Sequence, residues 1–189
     1  MSRSSLLEFF SRAGKLKGVE RTGWVEAGVH SPESVADHSY RTTLMAVIIA
    51  EAEGLDPLKA AKMALIHDLA EAETGDLTPA QKSLEGEAHK RAEDAAMQSI
   101  VGLLPGKLTA SFIELWREYE GLDSPEARLV HDVDRLEMLL QASEYENSGG
   151  EPARLERFWR VEVGRGLASD LAGEVRNKRK RSPSGPTSS

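Results

Sequence analysis

A chain of 189 residues, 40% hydrophobic and 29% charged, has enough apolar content for one soluble globular domain. It has no cysteine, so disulfides, thiolate nucleophiles and thiolate metal sites are excluded. Its net charge of −7 and pI near 5.3 set it against a nucleic-acid polymer as partner, though a small anionic substrate held by a metal ion or arginines is compatible.

The first helix with a clear start signal opens at Ser31-Pro32-Glu33-Ser34, read as cap, proline and early acid. It continues through His38 and the apolar run Leu44 to Ala50, which predicts burial on most sides, and stops at Gly54. Asp56-Pro57 opens the next, with an N-cap aspartate and proline in the first turn. Leu58, Ala61, Leu65 and Leu69 recur at helical spacing, widened by Met63 and Ile66, and Gly75 is the stop. His67, Asp68 and Glu71 therefore belong to the last two turns of one predicted helix, at spacings that stack side chains on one face. Leu84 to Val101 reads as a charged amphipathic helix, with Gly102 and Pro105-Gly106 as breakers. Lys107 to Tyr119 follows, with Leu108, Phe112, Leu115 and Trp116 as its buried face. Ser124-Pro125-Glu126 to Gly149-Gly150 bounds a helix whose apolar face is Leu129, Val130, Val133, Leu136, Leu139 and Leu140. Pro152 to about Leu171 gives a last helix.

No alternating strand pattern and no internal repeat interrupts this series, so the fold is expected to be an all-α, single-domain helical bundle over residues 1–172. Residues 173–189, basic and then rich in Ser and Pro, read as a disordered tail. Neither a signal-peptide pattern nor a membrane-length apolar stretch is present, which gives the expectation of a cytoplasmic protein without a membrane partner.

Chemistry concentrates in His38, the doublet His67-Asp68, and a later aspartate. Two imidazoles and two carboxylates suit a divalent ion of the zinc, cobalt, nickel, iron or manganese kind, with positions left for water and substrate. On the residues alone the last ligand is open, because His131-Asp132 repeats the doublet beside Asp134. The order of His89 and His131 along the chain also leaves a second ion open. His89, among Glu87, Lys90, Arg91 and Glu93, reads as part of a solvated face.

The pattern of His38, His67-Asp68 and Asp134 resembles the HD-domain phosphohydrolase superfamily. The segments Leu16 to Trp24 (with Arg21-Thr-Gly-Trp24), Val35 to Ser39, Ala64 to Leu77, and Asp134 to Met138 with Gln141 to Glu146 are similar to its 5′-deoxynucleotidase group. That resemblance covers about Leu6 to Arg160 and implies an all-α, metal-dependent, dimeric enzyme. The implied reaction removes phosphate from deoxynucleoside 5′-monophosphates. Carried onto matching positions, it implies metal ligands His38, His67, Asp68 and Asp134 for one divalent ion (Co, Mn, Zn, Ni, Fe or Mg). It implies Arg21 at the phosphate, Glu71 beside the attacking water or leaving group, Asp76 near the sugar hydroxyls, and Trp24 walling the sugar pocket. Arginine suits the phosphate role through its planar fork and permanent charge. Glu20, adjacent to Arg21, must point away for that role to hold. Other HD activities are set aside on motif: no Gly-Tyr-Pro element is present, and Glu71 is followed by Ala72 rather than an acid. A non-catalytic, metal-stabilised helical module would need neither Arg21 nor Glu71.

Overall fold

Start signals in the sequence set the helix boundaries of the structure, a computed structural model that describes residues 2–181. In chain order the helices are α1 (Arg3–Ala13), α2 (Thr22–Glu26), α3 (Val35–Ala52), α4 (Pro57–Ile66), α5 (Glu71–Thr74), α6 (Pro79–Glu85), α7 (Glu87–Val101), α8 (Gly106–Gly121), α9 (Pro125–Asn147), α10 (Pro152–Trp159) and α11 (Leu167–Arg181). A 3₁₀ turn, Gly14–Gly18, follows α1. The fold is all-α: the only extended pairing among the described residues is an isolated antiparallel bridge between Glu20 and Ser34. The chain divides into two compact units, Met1–His131 and Asp132–Ser189.

Side-chain caps start several helices of the first unit. Ser34, rather than Ser31, starts α3: its hydroxyl accepts the Asp37 amide at 3.1 Å, and Asp37 accepts the Ser34 amide at 3.0 Å. Ser31 instead sits in the left-handed region with φ 57°. Asp56 accepts the amides of Leu58 and Lys59 at 2.9 and 3.0 Å and starts α4 as expected. Thr78 and Gln81 form a second capping box that starts α6.

Four expectations are corrected. The helix from Asp56 does not reach Gly75: α4 ends at Ile66, and His67 to Ala70 form a tight turn before α5. Successive bonds Leu69 to Ile66 (3.1 Å) and Glu71 to Asp68 (3.0 Å) span three residues instead of four, which tightens the chain there. Its buried face is Ala60, Met63, Ala64 and Ile66, whereas Leu58 and Leu65 are exposed. On α3 the packed residues are Ala46, Ile49 and Ala50, and Leu44 and Ile48 face outward. The segment expected as one helix from Leu84 is broken at Gly86, whose φ of 54° suits glycine.

The core of the first unit joins Leu16, Val35, Ile66, Leu69, Ala70, Met97, Ile100 and Trp116, among others. Ile66, Leu69 and Ala70 thereby bury the back of the His67-Asp68 turn. On α8 the expected face is partly right: Trp116 is buried, Phe112 and Leu115 pack against the core, and Leu108 is exposed.

In the second unit the expected last helix is two, α10 and α11, separated by residues 160–166. The expected tail boundary at 172 falls inside α11, which continues to Arg181. Arg179 holds it there, donating to both carboxylate oxygens of Glu146 at 2.7 and 3.0 Å and to Glu156 at 2.9 Å. Its guanidinium also lies 4.3 Å from the Trp159 ring centroid. The Ser/Pro-rich part of the expected tail, 182–189, lies outside the described residues.

Candidate active site

The tight turn after α4 and the first turns of α3 bring three expected ligands together within the first unit. His38 is fully buried on α3, with Nε2 3.8 Å from Asp68 Oδ2. His67 Nε2 lies 3.1 Å from the same oxygen, and the two imidazole centroids are 5.5 Å apart. His67 Nδ1 is 2.8 Å from the Ala64 carbonyl. A carbonyl only accepts, so the proton sits on Nδ1 and Nε2 carries the lone pair. That buried Nε2 has no hydrogen-bond partner among the described residues. A lone pair facing a carboxylate oxygen at this distance is repulsive unless a cation or a further proton lies between them. The donor set thus fits a divalent ion, with mixed nitrogen and oxygen ligands.

Charge around Asp68 points the same way. Burial works to raise its pKa, but in the metal-free site a further proton on His67, charged and hydrogen-bonded to the carboxylate, together with the charges of Arg21 and His38, outweighs burial and holds the carboxyl well below the usual range. Glu71, one turn on in α5, is 2% exposed. Its carboxyl is pushed up to about 9, first by burial and then by the neighbouring charges of Asp68 and Asp76. One oxygen, Oε1, meets Lys82 Nζ at 3.3 Å; the other, Oε2, is buried without a hydrogen-bond partner among the described residues.

Arg21 closes the front of this group. It stands at the N-cap of α2, on a strand-like segment tied to the start of α3. Its amide donates to the Glu33 carbonyl at 3.1 Å, and the Val35 amide donates to the Val19 carbonyl at 2.8 Å. The guanidinium Nη1 lies 3.2 Å from Asp76 Oδ1 and 3.5 Å from Asp68 Oδ2. Glu20 is exposed, so the acid beside Arg21 does point away. Asp76 follows Gly75, whose φ of 76° makes the sharp exit from α5. Its carboxylate also accepts the Thr22 amide, and its carbonyl accepts the Thr22 hydroxyl at 2.7 Å. Asp76 therefore orders the Arg21-Thr22 turn.

Trp24 is 2% exposed, and its indole N–H donates to Glu33 at 2.9 Å. Asp134 lies half-buried on α9, in the second unit. The neighbouring rivals have other partners. Asp132 accepts the Gly164 amide at 2.7 Å, and a Cβ at Gly164 would sit 2.4 Å from the same carboxylate. The His131 ring lies tilted against Tyr119 at 6.3 Å, and Tyr119 itself meets the His67 ring edge-on at 5.7 Å.

Two residues were missed from sequence. Lys82 on α6 bridges Glu71 and Glu93, at 3.3 and 3.1 Å. Burial works to lower its pKa, but Glu71, Glu93 and Asp68 more than offset this and raise it. His89, expected on a solvated face, is 5% exposed, with Nε2 2.9 Å from Glu93 and Nδ1 3.5 Å from Glu85. Its i−4 and i+4 acids were the available signal.

Comparison with known proteins supplies relatives for this site. A family model described as HD domain matches residues 13–167. The chain is 45% identical over 161 residues to 5′-deoxynucleotidase HDDC2 of Homo sapiens, covering 85% of this chain and 78% of that one. To the Danio rerio protein of the same name it is 45% identical over 155 residues, covering 82% and 76%. Among solved structures, a Pyrococcus horikoshii protein superposes with a TM-score of 0.73 at 35% identity, covering 91% of this chain and 96% of its own.

Proposed function

The chain belongs to the HD-domain family, and from that premise we propose that it is a metal-dependent hydrolase of deoxynucleoside 5′-monophosphates, releasing deoxynucleoside and phosphate. One observation carries this reading. Within one unit, a His38–His67–Asp68 donor set stands beside a cationic fork, Arg21, and a buried carboxyl, Glu71, with a raised pKa. A purely structural metal site has no use for the last two. Relatives of 45% identity that bear the 5′-deoxynucleotidase name support the substrate class.

His38, His67 and Asp68 would hold the divalent ion, with Asp134 as the proposed fourth ligand. When bound, such an ion polarises a phosphoryl oxygen and makes water a better nucleophile near neutral pH. Arg21 grips the remaining phosphate oxygens, giving up its long contact with Asp68 to do so. Asp76 keeps the guanidinium aimed and is near enough to accept from a sugar hydroxyl. Glu71 presents Oε2, and its protonated form, favoured by burial, delivers the proton to the departing 5′-oxygen. Trp24, hydrogen-bonded to Glu33, is the proposed wall of the sugar pocket.

We further propose a homodimer, supported by a stripe of exposed apolar residues: Tyr40, Leu44 and Ile48 on α3 with Leu58 and Leu65 on the adjoining α4. Among the described residues no helix is long and apolar enough to cross a membrane, and the cytoplasm is the proposed compartment. The proposed catalytic domain extends beyond residue 172 through α11, since Arg179 ties that helix to Glu146 and Glu156.

The test is phosphate release from a panel of deoxyribo- and ribonucleoside 5′-monophosphates. Metal-stripped protein is re-loaded in turn with cobalt, manganese, magnesium or zinc, beside a His67→Ala/Asp68→Ala variant. Release confined to the deoxy forms and lost in the variant is the expected result. Equal release from ribo forms removes the sugar selectivity; no release with any metal overturns the assignment.

A further inference from the structure

Glu71 has two oxygens in unlike settings, and the difference is made by one side chain on another helix. Oε1 is 3.3 Å from Lys82 Nζ, while Oε2 is buried and without a hydrogen-bond partner among the described residues. Lys82 does not reach that place by accident of a flexible stem. The Thr78–Gln81 capping box and Pro79 fix the start of α6, which sets Lys82 one turn in. Its ammonium is held from the far side by Glu93 Oε1 at 3.1 Å. Glu93 is in turn met at 2.9 Å by Nε2 of His89, a buried residue on the same α7. The result is a chain of side chains, Glu71, Lys82, Glu93 and His89, that runs from α5 through α6 to α7.

Charge explains why the chain has this order. Glu71 sits near Asp68 and Asp76, both acidic, and without a cation on Oε1 its carboxyl would have no fixed orientation. Lys82 is partly buried, with its ammonium between two acids at 3.3 and 3.1 Å. Glu93 supplies the second acid and keeps the ammonium from swinging out.

We propose that Lys82 is the positioning residue for Glu71 in the reaction, anchoring Oε1 so that Oε2 alone is presented to the reacting phosphate ester. This inference rests on the nucleotidase reading above. Lys82 does not touch the substrate phosphate in this scheme; it acts through Glu71. A lysine serving only to pin α6 onto α7 would leave turnover intact once the protein is folded. A lysine that bound phosphate directly would act independently of Glu71.

Steady-state kinetics on the metal-loaded full chain separate these cases, using the deoxynucleoside 5′-monophosphate that the wild type turns over best. The variants are Lys82→Met, Lys82→Arg, Glu71→Gln and the double variant Lys82→Met/Glu71→Gln, each checked by thermal melting; Lys82→Gln replaces Lys82→Met if the latter does not fold. Expected is a fall in kcat of about tenfold to a hundredfold for Lys82→Met, with KM little changed. Lys82→Arg should recover most of the loss. The double variant should be no slower than Glu71→Gln alone, because the two residues act as one unit. A Lys82→Met protein with unchanged kcat, a loss expressed in KM, or losses that multiply in the double variant would each overturn the inference. Wild-type protein that releases no phosphate removes the nucleotidase reading and this inference together, whereas an active wild type with an indifferent Lys82 removes this inference alone.

Discussion

Glu71 shows how a single carboxyl in this fold trades stability for chemistry. Its pKa is pushed from 4.5 to about 9 by burial and by Asp68 and Asp76, so the folded, metal-free chain holds a proton that the unfolded chain releases. Between those two values the native state binds more protons than the unfolded state, and stability falls as pH rises. Glu71→Gln cannot ionise and escapes this penalty. Metal-free Glu71→Gln should therefore melt above metal-free wild type at pH 8, by on the order of 1–3 kcal/mol, with the gap closing toward pH 5. Melting curves across that range check it; a gap that does not change with pH would mean that Glu71 is not a protonated acid in the native state. The candidate site residues could be named from the sequence because each carries chemistry in a recognisable pattern: His38, the His67-Asp68 doublet, Glu71, Arg21. Lys82 was not legible in this way, since it stands among ordinary surface-type neighbours and only the packing of α6 against α5 and α7 gives it acidic partners. His89 had Glu85 and Glu93 at four-residue spacing as a signal, but its burial carried no mark in the sequence.

Helix starts were read better than helix stops. Asp56-Pro57 and Ser124-Pro125 begin α4 and α9 because an oxygen cap and a proline both satisfy the first turn. The end of α4 carried no such mark: nothing between Ile66 and Gly75 breaks a helix by composition, and the tight turn there is held by Ile66, Leu69 and Ala70 in the core. Periodicity was right only in part there: Met63, Ile66 and Leu69 are buried as expected, whereas Leu58 and Leu65 lie outward and the smaller Ala60 and Ala64 pack inward. At the C-terminal end, basic composition suggested a tail, yet α11 is anchored. Arg179 offers Glu146 two parallel donors while its plane covers Trp159, and the Trp159 indole donates to Glu146 at 2.9 Å. Arg179→Ala should cost roughly 1–2 kcal/mol and free the last turns of α11. Hydrogen exchange reports this directly: amides after Glu174 should lose protection in the variant while those of α7 keep theirs. Equal protection in both proteins would show that the helix is held without Arg179, by the buried Ala168 and Ala172 and by Arg176, which donates to the Trp159 and Val161 carbonyls.

At the scale of the whole molecule, five of the exposed apolar residues fall on two adjoining helices, α3 and α4. Tyr40 is 71% exposed, and Leu44 and Ile48 follow it at four-residue intervals on α3; Leu58 and Leu65 add a second row on α4, which packs beside it. Each residue costs little alone, but rows of this kind on two helices that pack together suit a surface that a partner covers. A second copy of the chain is the proposed cover, and a two-fold contact would place each stripe against its own counterpart. The net charge of −7 opposes such pairing at long range, so the apolar stripe must supply the attraction and moderate salt should favour the pair. Leu44→Glu/Ile48→Glu places two charges at the centre of the stripe without entering the core, because both side chains already face outward. Sedimentation equilibrium should then give twice the chain mass for wild type and a single chain mass for the variant, with melting of the variant now independent of protein concentration. A wild type that sediments as one chain, or a variant that still pairs, would assign the stripe to something other than self-association.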